Sequence, residues 1–173
     1  MHHQRQLDGG MGTAMAISVY QQHARHLISH DDWRLVNLKI QNNPQQALQQ
    51  IKYALANHNR LVFAIVIDPY LEDKGKNIGA MATLKANNDS WVITKLLEKH
   101  LQSEIEIGGH AIIVTGYDDN ACLAHEGKNI CGFLTVRNSV GAQLGDNGDF
   151  YISYNYFNRL AHGSVFAIGP AYQ

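Results

Sequence analysis

The chain has 173 residues, 45% of them hydrophobic, enough to bury a core as one globular unit. Its 14 basic and 15 acidic residues leave a net charge of -1 with no long run of one sign, so the electrostatic footprint of a nucleic-acid or anionic-membrane binder is excluded. No stretch approaches about 18 uninterrupted apolar residues, the opening MHHQRQLDGG lacks the apolar core of a signal peptide, and nothing assigns a compartment.

In chain order, the first periodic segment is TAMAISVYQQHARHL, residues 13–27, behind Gly9-Gly10. Ala14, Ile17, Tyr20, Ala24 and Leu27 form a loose apolar stripe that predicts a helix. The GGMG before it is no phosphate loop, because no strand precedes it and no Lys-Ser/Thr follows. Trp33 to Ile40 alternates weakly and reads as a strand. The next segment carries a start signal, with Asn43 as N-cap, Pro44 at the first helical position and Gln46 as reciprocal capping partner. Ala47, Leu48, Ile51, Ala54 and Leu55 give that helix an apolar face, and Asn57 to Asn59 end it. Leu61 to Ile67 is a continuous apolar run and predicts a strand buried on both sides. Asp68 to Asn88, with Gly75 and Gly79, reads as loop. Asn88-Asp89-Ser90 then predicts the start of a helix from about Trp91 to His100, with Ile93, Leu96, Leu97 and Leu101 facing inward.

The most informative stretch runs from Gly108 to Ile152. His110 to Tyr117 is rich in isoleucine and valine and is bounded by Gly108-Gly109 and Asp118-Asp119, the pattern of a buried strand with its histidine at the mouth. From Gly132 to Asn138 the side chains alternate, placing Leu134, Val136 and Asn138 on one face and Phe133, Thr135 and Arg137 on the other. A buried amide needs hydrogen-bond partners, and an imidazole N–H suits its side-chain oxygen. Two strands joined by a hairpin can bring His110 and Asn138 together, a base beside its orienting group. The plainer alternative is a histidine that only packs and an asparagine that caps the turn at Ser139-Val140-Gly141. Beyond the turn, Phe150 to Ser153 and Ser164 to Ile168 read as two more short strands. Several antiparallel strands with two or three helices predict an α+β fold whose core is a partly closed β-barrel or curled sheet.

The only cysteines, Cys122 and Cys131, both lie between His110 and Asn138. They either close that hairpin with a disulfide or stay reduced as small hydrophobes. His125 between them does not complete a four-ligand zinc set, so no metal site is expected.

GGHAIIVTGYDD followed by GFLTVRNSVGAQLGDNGDFYISYNYF resembles the C-terminal half of papain-like cysteine peptidases, in which a His-Ala strand ending in Gly-Tyr precedes an Asn-Ser-Trp-Gly turn and a Gly-rich turn. The helix and strand of residues 43–67 also match that half, and the resemblance covers roughly residues 33–173, with a fainter match before them. It implies the antiparallel β-barrel or curled sheet of the right half, residues 33–173, with residues 1–32 a helical remnant of a left half that is otherwise largely missing. The resemblance makes His110 the general base and Asn138 the residue that orients its ring, with Gly108, Gly109 and Ala111 lining the substrate cleft. Two positions depart from the family: Val140 and Leu144 stand where it usually has tryptophans, the first of which shields the His–Asn bond from water. The family's nucleophilic cysteine lies far upstream of the histidine, and no cysteine precedes His110.

The resemblance therefore implies a cysteine-type peptidase to which this chain contributes the histidine and asparagine, inactive alone. The alternatives are a non-catalytic papain-like module that binds or blocks peptides, and a thiol acyltransferase using the same machinery. The implied partners are a peptide or protein substrate and either the cysteine-bearing half or a second copy of the chain, with no nucleic acid, membrane, metal or cofactor.

Overall fold

The computed structural model describes residues 36–39, 43–65, 72–73, 76–77, 90–102, 110–139 and 141–168. The helix expected over 13–27 lies outside them. Strand β1 (Val36–Lys39) falls inside the segment read as a strand from its weak alternation. Helix α1 (Pro44–Ala56) begins where its signals put it, with Asn43 accepting from the Gln46 backbone N–H at 3.0 Å and Pro44 in the first turn. Asn57 N–H closes its other end on carbonyls of the last turn. Ala47, Leu48, Ile51 and Leu55 are its buried face.

Strand β2 (Arg60–Ile65) buries Leu61, Phe63 and Ile65 but leaves Val62 and Ala64 half-exposed. The expectation of burial on both sides fails because α1 covers one face and no described helix covers the other. The segment read as loop contains a two-residue ladder, β3 (Glu72–Asp73) with β4 (Lys76–Asn77).

The largest departure follows. Ser90 and Trp91 form strand β5, and helix α2 starts only at Lys95 and runs to Leu101. The Trp91 ring is fully buried, 5.3 Å from the Phe150 ring and 6.2 Å from that of Tyr156, and this packing outweighs the local capping signal of Asn88-Asp89-Ser90. Thr94 is the working cap, its hydroxyl accepting from Leu97 N–H at 3.0 Å. Leu96, expected inside, is 48% exposed, and Leu97 is the buried residue of this helix.

Strands β6 (His110–His125) and β7 (Lys128–Arg137) form one long hairpin. Its two-residue turn, Glu126-Gly127, has positive φ at both positions, the primed geometry that follows strand twist. β6 runs well past the expected end at Tyr117 because two register breaks, between Val114 and Gly116 and between Asp118 and Cys122, let it bend and continue. Strand β8 (Asp149–Ser153), helix α3 (Tyr154–Leu160) and strand β9 (Ala161–Ile168) complete the fold. The sequence reading missed α3, although Ser153 caps it by accepting from Tyr156 N–H at 3.2 Å and Tyr156, Phe157 and Leu160 bury one stripe.

The main sheet has seven strands in the order β1-β9-β2-β6-β7-β8-β5. All its pairings are antiparallel except β5 with β8, so the sheet is mixed where a purely antiparallel one was expected. Trp91 from one edge and Leu61 and Val165 from the other end of the strand order enter the same buried cluster, as a curled sheet requires. α1 and α3 pack into that concave side, where Phe63 and Phe157 meet edge to face at 5.2 Å. The result is an α+β half-barrel flanked, among the described residues, by three helices, the arrangement expected from the resemblance.

Candidate active site

His110 opens β6 and shares its inner face with Ile112 and Val114, both buried. Asn138 follows the last residue of β7 on the face of Leu134 and Val136 and is only 5% exposed. Ile113 pairs with Arg137, and continuing that register sets Asn138 opposite Ile112, diagonal to His110. An imidazole spans that diagonal, and His110 Nε2 lies 2.8 Å from Asn138 Oδ1. Ser139 N–H also donates to Asn138 Oδ1, at 2.8 Å. A backbone N–H only donates, so the shared atom is the amide oxygen, and His110 must donate to it through Nε2–H. Nδ1 of the neutral ring is then the lone-pair nitrogen available as a base.

The turn behind Asn138 is held by its own backbone. Asn138 N–H donates to Gly148 carbonyl at 3.2 Å, Gly148 N–H to Leu144 carbonyl at 2.9 Å, and Asp146 N–H to Asp149 carbonyl at 2.9 Å. Gly145 has φ +64°, and a Cβ there would sit 2.4 Å from the Asp149 carbonyl oxygen, so the turn needs glycine at that position. Arg137 grips Asp149 with two nitrogens at 2.7 and 2.6 Å, closing the base of the same turn. Asn138 Nδ2 is buried and has no hydrogen-bond partner among the described residues.

Of the expected cleft residues, Gly108 and Gly109 lie outside the described residues, as does Val140. Ala111 is exposed, paired with Ala64 of β2, and its methyl group points to the face opposite the His110 ring. Leu144 is 37% exposed.

The hairpin beyond the second register break is fastened three ways. Cys122 and Cys131 are direct partners in the ladder and form a disulfide. Glu126 at the turn accepts from Lys95 N–H at 3.0 Å, capping α2 from across the fold. Asp119 is bonded by Lys52 of α1 and by the Tyr154 hydroxyl, and the Lys52 ammonium lies 4.3 Å from the centre of the Tyr154 ring. The Lys52 bond, with that from Tyr154, holds the Asp119 carboxyl below the usual aspartate range, while burial and the Asp119 bond push the Tyr154 hydroxyl up. From the sequence, Lys52 and Tyr154 have no assigned role and the dipeptide Asp118-Asp119 reads as a strand end, whereas Asp119 sits in a bulge. The disulfide resolves the cysteine question. It also lies twelve residues along β6 from His110, on the order of 30–40 Å by strand rise, so neither sulfur belongs to the His–Asn site. Among the described residues no group of His, Cys, Asp and Glu could hold a metal ion.

A half-barrel that sets a histidine and a buried asparagine, hydrogen-bonded to each other, at adjacent strand ends is the class of molecule these observations define. Among solved structures the chain is similar to xylellain, a cysteine protease from Xylella fastidiosa, with 18% identity and a TM-score of 0.42 over 72% of this chain and 37% of that one. It is similar also to SERA5E from Plasmodium falciparum, with 14% identity and a TM-score of 0.44 over 80% of this chain and 45% of that one. The SERA5 proenzyme of the same organism gives 17% identity and a TM-score of 0.43 over 82% and 38%. The chain spans less than half the length of each of these three. No family model matches the chain, and no curated protein sequence matches it.

Proposed function

We propose that this chain supplies the base and orienter of a papain-like cysteine peptidase, which hydrolyses peptide bonds by a Cys–His–Asn mechanism, with the nucleophilic cysteine outside residues 1–173. The observation that carries the reading is the 2.8 Å bond from His110 Nε2 to Asn138 Oδ1, made by a buried asparagine whose oxygen a backbone N–H already fixes. In this reading His110 takes the thiol proton at Nδ1, and Asn138 keeps the ring oriented and accepts from the imidazolium. The thiolate attacks the peptide carbonyl, His110 protonates the leaving amine, and a water activated by the same nitrogen releases the acyl group. Residues 33–173 form the half carrying this pair, and residues 1–32 belong with the missing half. Its partners are a peptide or protein substrate and the cysteine-bearing half, and Gly108, Gly109 and Ala111 contribute backbone to the cleft.

The purified 173-residue chain should leave fluorogenic peptides intact. Supplied with a segment bearing a cysteine at the head of a helix, covalently or in trans, it should cleave them. His110→Ala or loss of that cysteine should abolish the cleavage, and Asn138→Ala should lower kcat with little change in KM. Cleavage by the chain alone, or cleavage that survives His110→Ala, refutes the proposal. A second reading, a non-catalytic module that binds or blocks peptides, is favoured by the remoteness of both sulfurs from His110. It predicts peptide binding without turnover in every one of these forms.

A further inference from the structure

We propose that the convex face of this sheet carries a second binding site, for a lysine or arginine side chain of a peptide, separate from the His110–Asn138 pair. A cavity of about 370 Å³ opens on that face, lined by Asp118, Ala121, Phe133, Thr135 and Tyr151 among others. The strand register explains its shape. Ser90, Tyr151, Thr135 and Gly116 form one row across four strands, and Asp118 stands beside Phe133 in the next. Gly116 puts no side chain in its row, which leaves space between the aromatic wall and Asp118. The register break before Gly116 turns this row outward, while His110 and Asn138 face inward on the same two strands.

The lining is built for a cation on an apolar stem. Phe133 and the Tyr151 ring supply an apolar floor, and none of the described lining residues is basic. Asp118 Oδ1 is committed to Asn120 N–H at 2.8 Å and Ala121 N–H at 3.1 Å, which fixes the carboxylate in place, while Oδ2 takes no bond among the described residues. Asp146, which accepts from the hydroxyl of the lining residue Tyr151 at 2.8 Å, adds a second negative charge next to that ring. Neither Asp118 nor Asp146 forms an ion pair among the described residues. A long methylene stem covers the aromatic floor and its ammonium or guanidinium reaches the fixed carboxylate. The site is independent of the peptidase reading, since it lies on the other face of the sheet.

The test is a titration of the oxidised full-length chain, followed by amide chemical shifts, with the blocked pentapeptides Gly-Gly-Lys-Gly-Gly, Gly-Gly-Arg-Gly-Gly and Gly-Gly-Gln-Gly-Gly. The basic peptides should bind about tenfold more tightly than the glutamine peptide, with shifts at Gly116, Thr135 and Tyr151 and weakening as salt is raised. Asp118→Asn, which keeps Oδ1 for the two backbone bonds, should weaken the basic peptides about three- to fivefold and leave the glutamine peptide unchanged. Equal binding of the basic and glutamine peptides by the unmodified protein overturns the proposal whether or not the variant folds. So do shifts confined to the inner face, or an unchanged affinity in a folded Asp118→Asn variant.

Discussion

Replacing both Cys122 and Cys131 by alanine measures how firmly the distal hairpin belongs to the fold. The bridge joins directly paired residues just beyond the register break between Asp118 and Cys122, at a sequence separation of 9. In the chain-entropy account, freeing a loop of that length raises the entropy of the unfolded chain enough to cost about 2.7 kcal/mol at room temperature. For a protein of this size that corresponds to a fall in Tm of about 5–10 °C. The native fold should survive, because the Glu126 cap on α2 and the Asp119 bonds to Lys52 and Tyr154 still hold the arm. Urea unfolding of wild type and double variant, with the slopes compared, is the assay. A loss under about 1 kcal/mol at unchanged slope would mean that the bridge constrains a loop the unfolded chain already keeps closed, and the entropic reasoning fails for this hairpin. Thiol titration of the unreduced protein under denaturant checks the premise, since two reactive thiols there would refute the pairing itself.

Other substitutions probe separate joints of the structure. Gly132→Ala should destabilise by about 2–4 kcal/mol in the same urea assay, because Gly132 has φ +85° and an added Cβ would lie 2.4 Å from the Tyr154 ring. Thr94→Val removes the hydroxyl that caps α2 and should cost about 1 kcal/mol, whereas Thr94→Ser should be nearly neutral by thermal melting. Trp91→Ala should cost about 3–5 kcal/mol, the size expected for emptying a fully buried aromatic site. Asp119 has a folded-state pKa below its unfolded value near 4. Its contribution is therefore present above about pH 4 and lost as pH falls through the folded value. Stability curves from pH 6 to 2 should show a smaller acid loss in Asp119→Asn than in wild type, and the difference should shrink in high salt because the carboxylate is largely exposed.

Much of the site was legible in the sequence because its signals are local. Alternation from Gly132 to Asn138 places the asparagine on the apolar face, and an apolar face that ends in an amide calls for a partner. The run from His110 supplies one at the mouth of the neighbouring strand, and the diagonal contact follows from pairing and pleat. The Asn43-Pro44 start of α1 was equally local, since the cap acts within one turn. The start of α2 was misread for the converse reason. Asn88-Asp89-Ser90 offers caps, but whether Trp91 begins a helix or a strand depends on the cavity between Phe150 and Tyr156, built by residues some sixty positions away. Helix α3 escaped notice because its aromatic composition, YNYFNRL, favours strands locally, and only burial of Tyr156, Phe157 and Leu160 against the concave sheet makes a helix the better answer.

The sequence by itself determined the α+β class and the edges of α1, because each rests on periodicity or on signals within one turn; it offered His110 and Asn138 as one of two readings, and the papain-like resemblance singled them out. The tertiary structure decided how far β6 extends, which strand forms the sheet's parallel edge, the pairing of the two cysteines and the cavity on the convex face. Those features depend on register breaks and on side chains meeting across the fold, and a register break leaves no periodic mark in the chain that contains it.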